Sequence, residues 1–140
     1  MKRIVLDTNV LVAAGRSRRG ASYRLVEMIG ARSPFQLAVS VPLVLEYEMA
    51  LKRRTELSDD AVEAIVDYIC QVADRQEIYF LWRPFLKDPA DEMVLEVAVG
   101  AGVESIVSHN VGDFQGVEGR FGIRVITPGA FLRELEAMEK

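Results

Sequence analysis

The sequence predicts an α/β fold, a three-layer α/β/α sandwich around a mostly parallel central sheet, on three observations. Strand-length apolar runs alternate with stretches of helical periodicity along the whole chain. Several of those runs are continuously apolar, as in Ile4-Val5-Leu6. Parallel strands joined by helical crossovers are covered on both faces and need that pattern. The third observation is size. A chain of 140 residues holds one continuous core but not two, so residues 1–140 read as a single domain.

Residues 3 to 6 form the first strand, and Asp7-Thr8-Asn9 supplies capping groups before a helical turn from Val10 to Ala14. Gly15 to Gly20 reads as a basic loop carrying Arg16, Arg18 and Arg19. A helix follows from Ala21 to about Ala31 and stops at Ser33-Pro34. Gln36 to Val41 is the second strand, and Pro42 opens a helix that carries Glu46. Ser58-Asp59-Asp60 starts a helix reaching about Arg75, with Val62, Ile65, Val66, Ile69 and Val72 at helical spacing. Glu77 to Trp82 is the third strand. Asp88-Pro89-Ala90-Asp91 places an N-cap, a proline at the first helical position and an acid in the first turn of a helix that ends at Gly100 or Gly102. Ser105 to Ser108 and Gly122 to Ile126 are the fourth and fifth strands, and Thr127-Pro128 opens a last amphipathic helix.

Half of the residues are apolar and 27% are charged, the balance of an ordinary soluble domain. No apolar run reaches the roughly 18 to 20 residues of a membrane span. Met1 to Leu6 imitates a signal peptide, but Asp7 and Asn9 interrupt it, so a cytoplasmic protein is expected. The single Cys70 forms no intrachain disulfide and reads as a packed thiol. The net charge of −4 argues against a protein that coats nucleic acid through bulk electrostatics. It leaves room for a nuclease, because acids gathered around bound cations add to the negative sum while the ions reverse it locally. Arginine outnumbers lysine 13 to 4, and guanidinium suits bidentate phosphate contacts as well as surface ion pairs.

In open parallel sheets ligands bind beyond the carboxyl ends of the strands. Asp7 and the Asn110 to Asp113 loop follow their strands directly and belong on that edge. A carboxylate next to Ile4-Val5-Leu6 is costly unless something compensates its charge. Asp91 reads equally as a capping acid or a ligand, Glu46 as a ligand or one half of a surface ion pair, and Asp88 as a cap. Converging carboxylates repel one another and raise each other's pKa, a standing cost that a divalent cation removes. Arg16, Arg18 and Arg19 lie close behind the first acid and are placed to meet phosphate groups or solvent. Gly15 and Gly20 have the spacing of a P-loop, but Ala21 stands in the lysine position, which excludes nucleotide binding there.

Four segments in order are Leu6-Asp7-Thr8-Asn9-Val10-Leu11, Ser40-Val41-Pro42 leading to Leu45-Glu46, Asp88-Pro89-Ala90-Asp91 leading to Ala98, and Ser108-His109-Asn110-Val111-Gly112-Asp113-Phe114. Together they resemble the PIN domain, and within it the VapC-like toxins of toxin-antitoxin modules, over nearly the whole chain. The resemblance implies a metal-dependent endoribonuclease in which Asp7, Glu46, Asp91 and Asp113 hold one or two Mg²⁺ or Mn²⁺ ions. It assigns supporting roles to Thr8, Asn9, Ser108 and Asn110, the last standing where many relatives carry an acid. It also implies a cognate antitoxin and a homodimer. Two other readings compete. A haloacid-dehalogenase-like phosphatase needs Asp-x-Asp where this chain has Asp7-Thr8-Asn9, and a non-catalytic PIN-like module would bind RNA or protein without cutting.

Overall fold

The computed structural model describes residues 2–77 and 84–138. β1 (Lys2–Leu6) has Ile4, Val5 and Leu6 fully buried. The chain turns at once into α1 (Thr8–Arg16), because the Asp7 carboxylate accepts the Thr8 backbone N–H and opens the helix. α2 (Ala21–Glu27), β2 (Phe35–Val39) and α3 (Val41–Arg54) follow, α3 opened by the Ser40 hydroxyl accepting the Leu43 N–H. Ser58 does the same for α4 (Asp59–Val72) through the Ala61 N–H. Next come β3 (Asp74–Arg75), α5 (Pro89–Ala101) and β4 (Ser105–Val107). A 3₁₀ turn at Val111–Phe114, α6 (Val117–Phe121), β5 (Arg124–Ile126) and α7 (Pro128–Met138) complete the chain.

The five strands are all parallel, in the order β3-β2-β1-β4-β5. They form the central layer of the three-layer α/β/α sandwich. Register is set where Ile4 pairs with Leu37 on one side and with Ser105 on the other. β1 to β3 step outward in one direction while β4 and β5 lie on the other side of β1. The strand order therefore reverses between β1 and β4, and a crevice opens there at the carboxyl ends. α5 packs across β1, β2 and β4, α1 packs on α2 and α3, and α7 returns onto α2. Val94, Leu95, Val97 and Ala98 of α5 are buried against the sheet.

Several boundaries differ from the sequence reading. β2 ends at Val39, short of Val41, because Ser40 caps α3 and Val41 is already its first residue. β5 begins at Arg124, since Gly122 closes α6 in the left-handed conformation. The fourth helix ends at Val72, not near Arg75, because Asp74 and Arg75 leave it to pair with Ala38 and Val39 as the edge strand. The Arg3 guanidinium neutralises Asp74 there, so a charged dipeptide can extend the sheet. Glu77 lies beyond this strand, and the rest of the strand expected at Glu77 to Trp82 falls outside the described residues. α2 stops at Glu27, short of Ala31. α1 runs on through Gly15 and Arg16, which leaves Ser17 to Gly20 as the loop. A Cβ on Gly15 would lie 2.9 Å from Thr55 Cγ2, so glycine is what lets α1 pass so close to the end of α3. α6 and the turn at Val111–Phe114 carry no clear periodicity and were not expected from the sequence.

Candidate active site

Asp7 sits at the end of β1, its backbone N–H still donating across the sheet to the Val107 carbonyl at 2.8 Å. The residue is only 6% exposed. One carboxylate oxygen accepts the Thr8 N–H at 2.8 Å, and the other accepts the Ser108 hydroxyl at 2.7 Å. Burial raises the Asp7 pKa above the ordinary carboxylate value. The Ser108 and Thr8 hydrogen bonds pull it back down, and the charges of Asp113 and Asp88 push it up again. Ser108, fully buried, is a hub: its oxygen also accepts from Asn9 Nδ2 at 3.3 Å and from the Asn110 N–H at 3.0 Å. Asn9 Oδ1 in turn accepts the His109 N–H at 3.2 Å. These bonds stitch the β1–α1 turn to the β4 loop across about a hundred residues of chain.

Glu46 is placed by the residue after it. Tyr47 is fully buried and its hydroxyl donates to the Leu6 carbonyl, which fixes the rotation of α3 against the strand that ends in Asp7. Burial, and after it the Asp7 charge, pushes the Tyr47 pKa well above its usual value, so Tyr47 stays a neutral donor. Glu46 is half-buried and faces the crevice.

Asp91 lies in the first turn of α5, behind the Asp88 carboxylate that accepts the Ala90 N–H as N-cap. Burial first, then the charges of Asp7, Asp88 and Asp113, raise the Asp91 pKa to about 7. The adjacent Glu92 is buried and its carboxylate accepts the N–H groups of Phe85 and Leu86, both at 2.9 Å. It clamps the segment that enters the site. Asp113 is exposed in the turn at Val111–Phe114, anchored by the buried Phe114.

Asp7, Glu46, Asp91 and Asp113 line one cleft of about 450 Å³ together with Thr8, Asn9 and Asn110. Ser108 lies beneath its floor, bonded to Asp7. Among the described residues no three His, Cys, Asp or Glu side chains converge tightly enough to share one ion as they stand. The donor set nevertheless suits a hard cation. It is all oxygen, and Mg²⁺ is commonly held through one or two carboxylates and several waters. The buried Thr8 hydroxyl at the cleft has no hydrogen-bond partner, a polar atom left available to a ligand.

Sequence reasoning did not single out Glu92, Tyr47, or Arg53 and Arg54, which line the same cleft. An acid in a first helical turn, an aromatic in a core-facing helix and arginines at a helix end carry no local signal of a site. Arg16 and Arg18 do not line the acidic cleft but a neighbouring pocket, and Arg19 lines neither. His109 lies 2.7 Å through its Nε2 from the buried Ser22 hydroxyl of α2, tying that helix to the β4 loop.

No curated protein matches the sequence. Among solved structures, the chain is similar to one in the crystal structure of VapBC2 from Rickettsia felis bound to a DNA fragment from their promoter. The TM-score is 0.54 at 13% identity, covering 89% of this chain and 98% of that one, a likeness of fold. The sequence matches the PIN domain over residues 3–112, a span that contains Asp7, Glu46 and Asp91 and ends one residue before Asp113. With the strand order, the crevice and the acids in place, this chain belongs to the PIN domain family.

Proposed function

We propose that this protein is a Mg²⁺- or Mn²⁺-dependent endoribonuclease, the toxin of a type II toxin-antitoxin pair, acting through Asp7, Glu46, Asp91 and Asp113. The observation that carries the reading is the convergence of four acids from four separate segments on one crevice at the carboxyl edge of the sheet, with Asp91 raised to about 7 by burial and by its neighbours' charges. Asp7 and Asp91 are both pushed up by burial and by neighbouring carboxylates, a cost that a bound cation would remove. A divalent ion bound among them supplies charge neutralisation for a phosphodiester and lowers the pKa of a water.

The chain's own residues set the conditions for this chemistry. Asp7 is locked in one orientation by Thr8 and Ser108, a fixed oxygen ligand at the floor. Asp91 retains its proton near neutrality until positive charge arrives, so ion binding and proton release are coupled. Thr8, Asn9, Ser108 and Asn110 position the acids. Val41, Leu45 and Met49 stand exposed four residues apart on one face of α3, and Met49 reaches the cleft. An exposed apolar stripe beside a site supports the protein partners of the proposal, a cognate antitoxin and a second copy of the chain. Among the described residues no helix is long and apolar enough to cross a membrane.

The test is cleavage of a mixed RNA panel by inhibitor-free protein with Mg²⁺ or Mn²⁺, with EDTA, and with Asp91→Asn. Cleavage that requires both the ion and Asp91 is expected, with the Asp91→Asn protein still folded. Folded wild-type protein that leaves every RNA intact in Mg²⁺ and Mn²⁺ would turn the assignment to a binding module.

A further inference from the structure

Arg53 and Arg54 lie in the last turn of α3, and both residues line the acidic cleft. Cations near a helix C-terminus commonly serve the helix dipole or pair with an acid one turn away. Lys52 does pair in this way, with Glu48 at 3.1 Å. Among the described residues no ion pair engages Arg53 or Arg54, although they share a cleft with Asp7, Glu46, Asp91 and Asp113. The rim is also braced from behind. Arg16 Nε donates to the Arg54 carbonyl at 2.7 Å, across 38 positions of sequence, holding the end of α1 against the end of α3. Arg16 therefore stands at the C-terminal end of α3, and with Arg18 it lines a second pocket whose other residues include Leu11, Tyr23, Val26 and Leu57.

The acids and the arginines thus occupy the same cleft without neutralising one another. A single-stranded nucleic acid carries its charges in series, and the five carboxylates that line the cleft, Asp88 included, repel all of them. A strand is retained only where the phosphates flanking the reacting one meet positive charge, and planar guanidinium groups match phosphate oxygens in pairs. We propose that Arg53 and Arg54, braced by Arg16, form a phosphate subsite for the phosphodiester next to the scissile one in a bound RNA strand, which then leaves over Arg16 and Arg18. This rests on the nuclease reading and adds to it a direction for the substrate and a set of residues that hold it without taking part in bond cleavage.

The experiment titrates a fluorescein-labelled single-stranded RNA oligonucleotide by anisotropy in Mg²⁺ over a series of KCl concentrations. The protein carries Asp91→Asn, so that the RNA survives, alone or combined with Arg53→Ala/Arg54→Ala, Arg53→Lys/Arg54→Lys or Arg32→Ala/Arg133→Ala. Arg32 and Arg133 are exposed and lie outside the cleft, so their loss removes the same two charges elsewhere. The expected result is at least about tenfold weaker binding for Arg53→Ala/Arg54→Ala, with a salt slope shallower by about 0.7 for each phosphate that is no longer neutralised. The lysine pair should recover part of the affinity, and Arg32→Ala/Arg133→Ala should stay within about twofold, as expected for charges that meet no phosphate. Arg53→Ala/Arg54→Ala binding as tightly as its parent at an unchanged slope, or the remote pair weakening binding equally, overturns the subsite. Absence of RNA binding in every variant overturns it too, and cleavage by wild-type protein then decides separately whether the nuclease reading falls with it.

Discussion

Asp7 and Asp91 are both aspartates beside the same crevice, yet they answer to different surroundings. Asp7 is buried but hydrogen-bonded by Thr8 and Ser108, whereas no hydrogen bond offsets the burial and the three neighbouring charges that raise Asp91. The consequence is a pH dependence of stability in metal-free protein. Folded Asp91 keeps its proton to about 7, while the unfolded chain releases it near 3.8. Between those values the folded state binds the extra proton, so stability falls as pH rises from about 4 to about 7 and levels off above. Urea midpoints in EDTA, followed from about pH 4 to about pH 8, should therefore decline for wild type and decline less for Asp91→Asn, which keeps only the contribution of the raised Asp7, and parallel curves would refute the raised Asp91 pKa. Ser108 gives a second test. Removing its hydroxyl strips one donor from Asp7 and the acceptor of Asn9 and Asn110, so Ser108→Ala should lose about 1–3 kcal/mol of stability. In cleavage it should lose roughly 10- to 100-fold in kcat/KM, and wild-type kinetics in this variant would remove Ser108 from the site. Asp7 was legible in the sequence because an acid next to an apolar strand is anomalous, whereas Glu46, Asp91 and Asp113 stood out only through the family resemblance. Arg53 and Arg54 did not stand out, since nothing in a helix-terminal arginine says which way it turns.

Helix α5 shows how an element carries function. Asp88 caps it, Asp91 faces the cleft, and Glu92 turns back to hold the Phe85 and Leu86 amides, so three acids in five residues do three different jobs. Glu92→Ala leaves two part-buried backbone N–H groups without their acceptor, at a cost of about 0.5–1.5 kcal/mol for each hydrogen bond lost. Amide exchange at Phe85 and Leu86 should accelerate at least about tenfold in this variant relative to amides in β1, and unchanged protection would show that Glu92 does not hold the segment. Helix starts were readable at this scale because Ser40, Ser58 and Asp88 announce themselves by chemistry. Helix ends were less so. α4 could continue past Val72 by propensity, and it stops because Asp74 and Arg75 find backbone partners on β2 and a charge partner in Arg3.

In the whole molecule, the cleft exists because the strand order reverses beside β1, which opens the sheet's edge where the acids of four distant segments arrive. An ion that relieves their repulsion binds the folded state alone, so it should raise Tm. At about ten times its Kd the gain is about 1.4 kcal/mol, a shift of a few degrees for a domain of this size. Thermal melts with Mg²⁺ or Mn²⁺ should show the rise in wild type, its reversal by EDTA, and little response in an Asp7→Asn/Asp91→Asn double variant. An equal rise in the double variant would place the ion elsewhere.

The α/β architecture, the helix starts and the anomaly of Asp7 follow from the amino-acid order alone, because periodicity, capping chemistry and a charge beside an apolar run are local properties that short-range physics enforces; Glu46, Asp91 and Asp113 join Asp7 at this stage only through the resemblance to the PIN domain. Packing had to settle the rest: that the sheet is parallel throughout, that Asp74 and Arg75 form its edge, and that Tyr47 and Ser108 lock the acid-bearing turns. Packing also brought Arg53 and Arg54 to the rim of the acidic cleft. Those outcomes depend on contacts between segments tens of residues apart, and such contacts leave no signature in the residues that make them until the chain has folded.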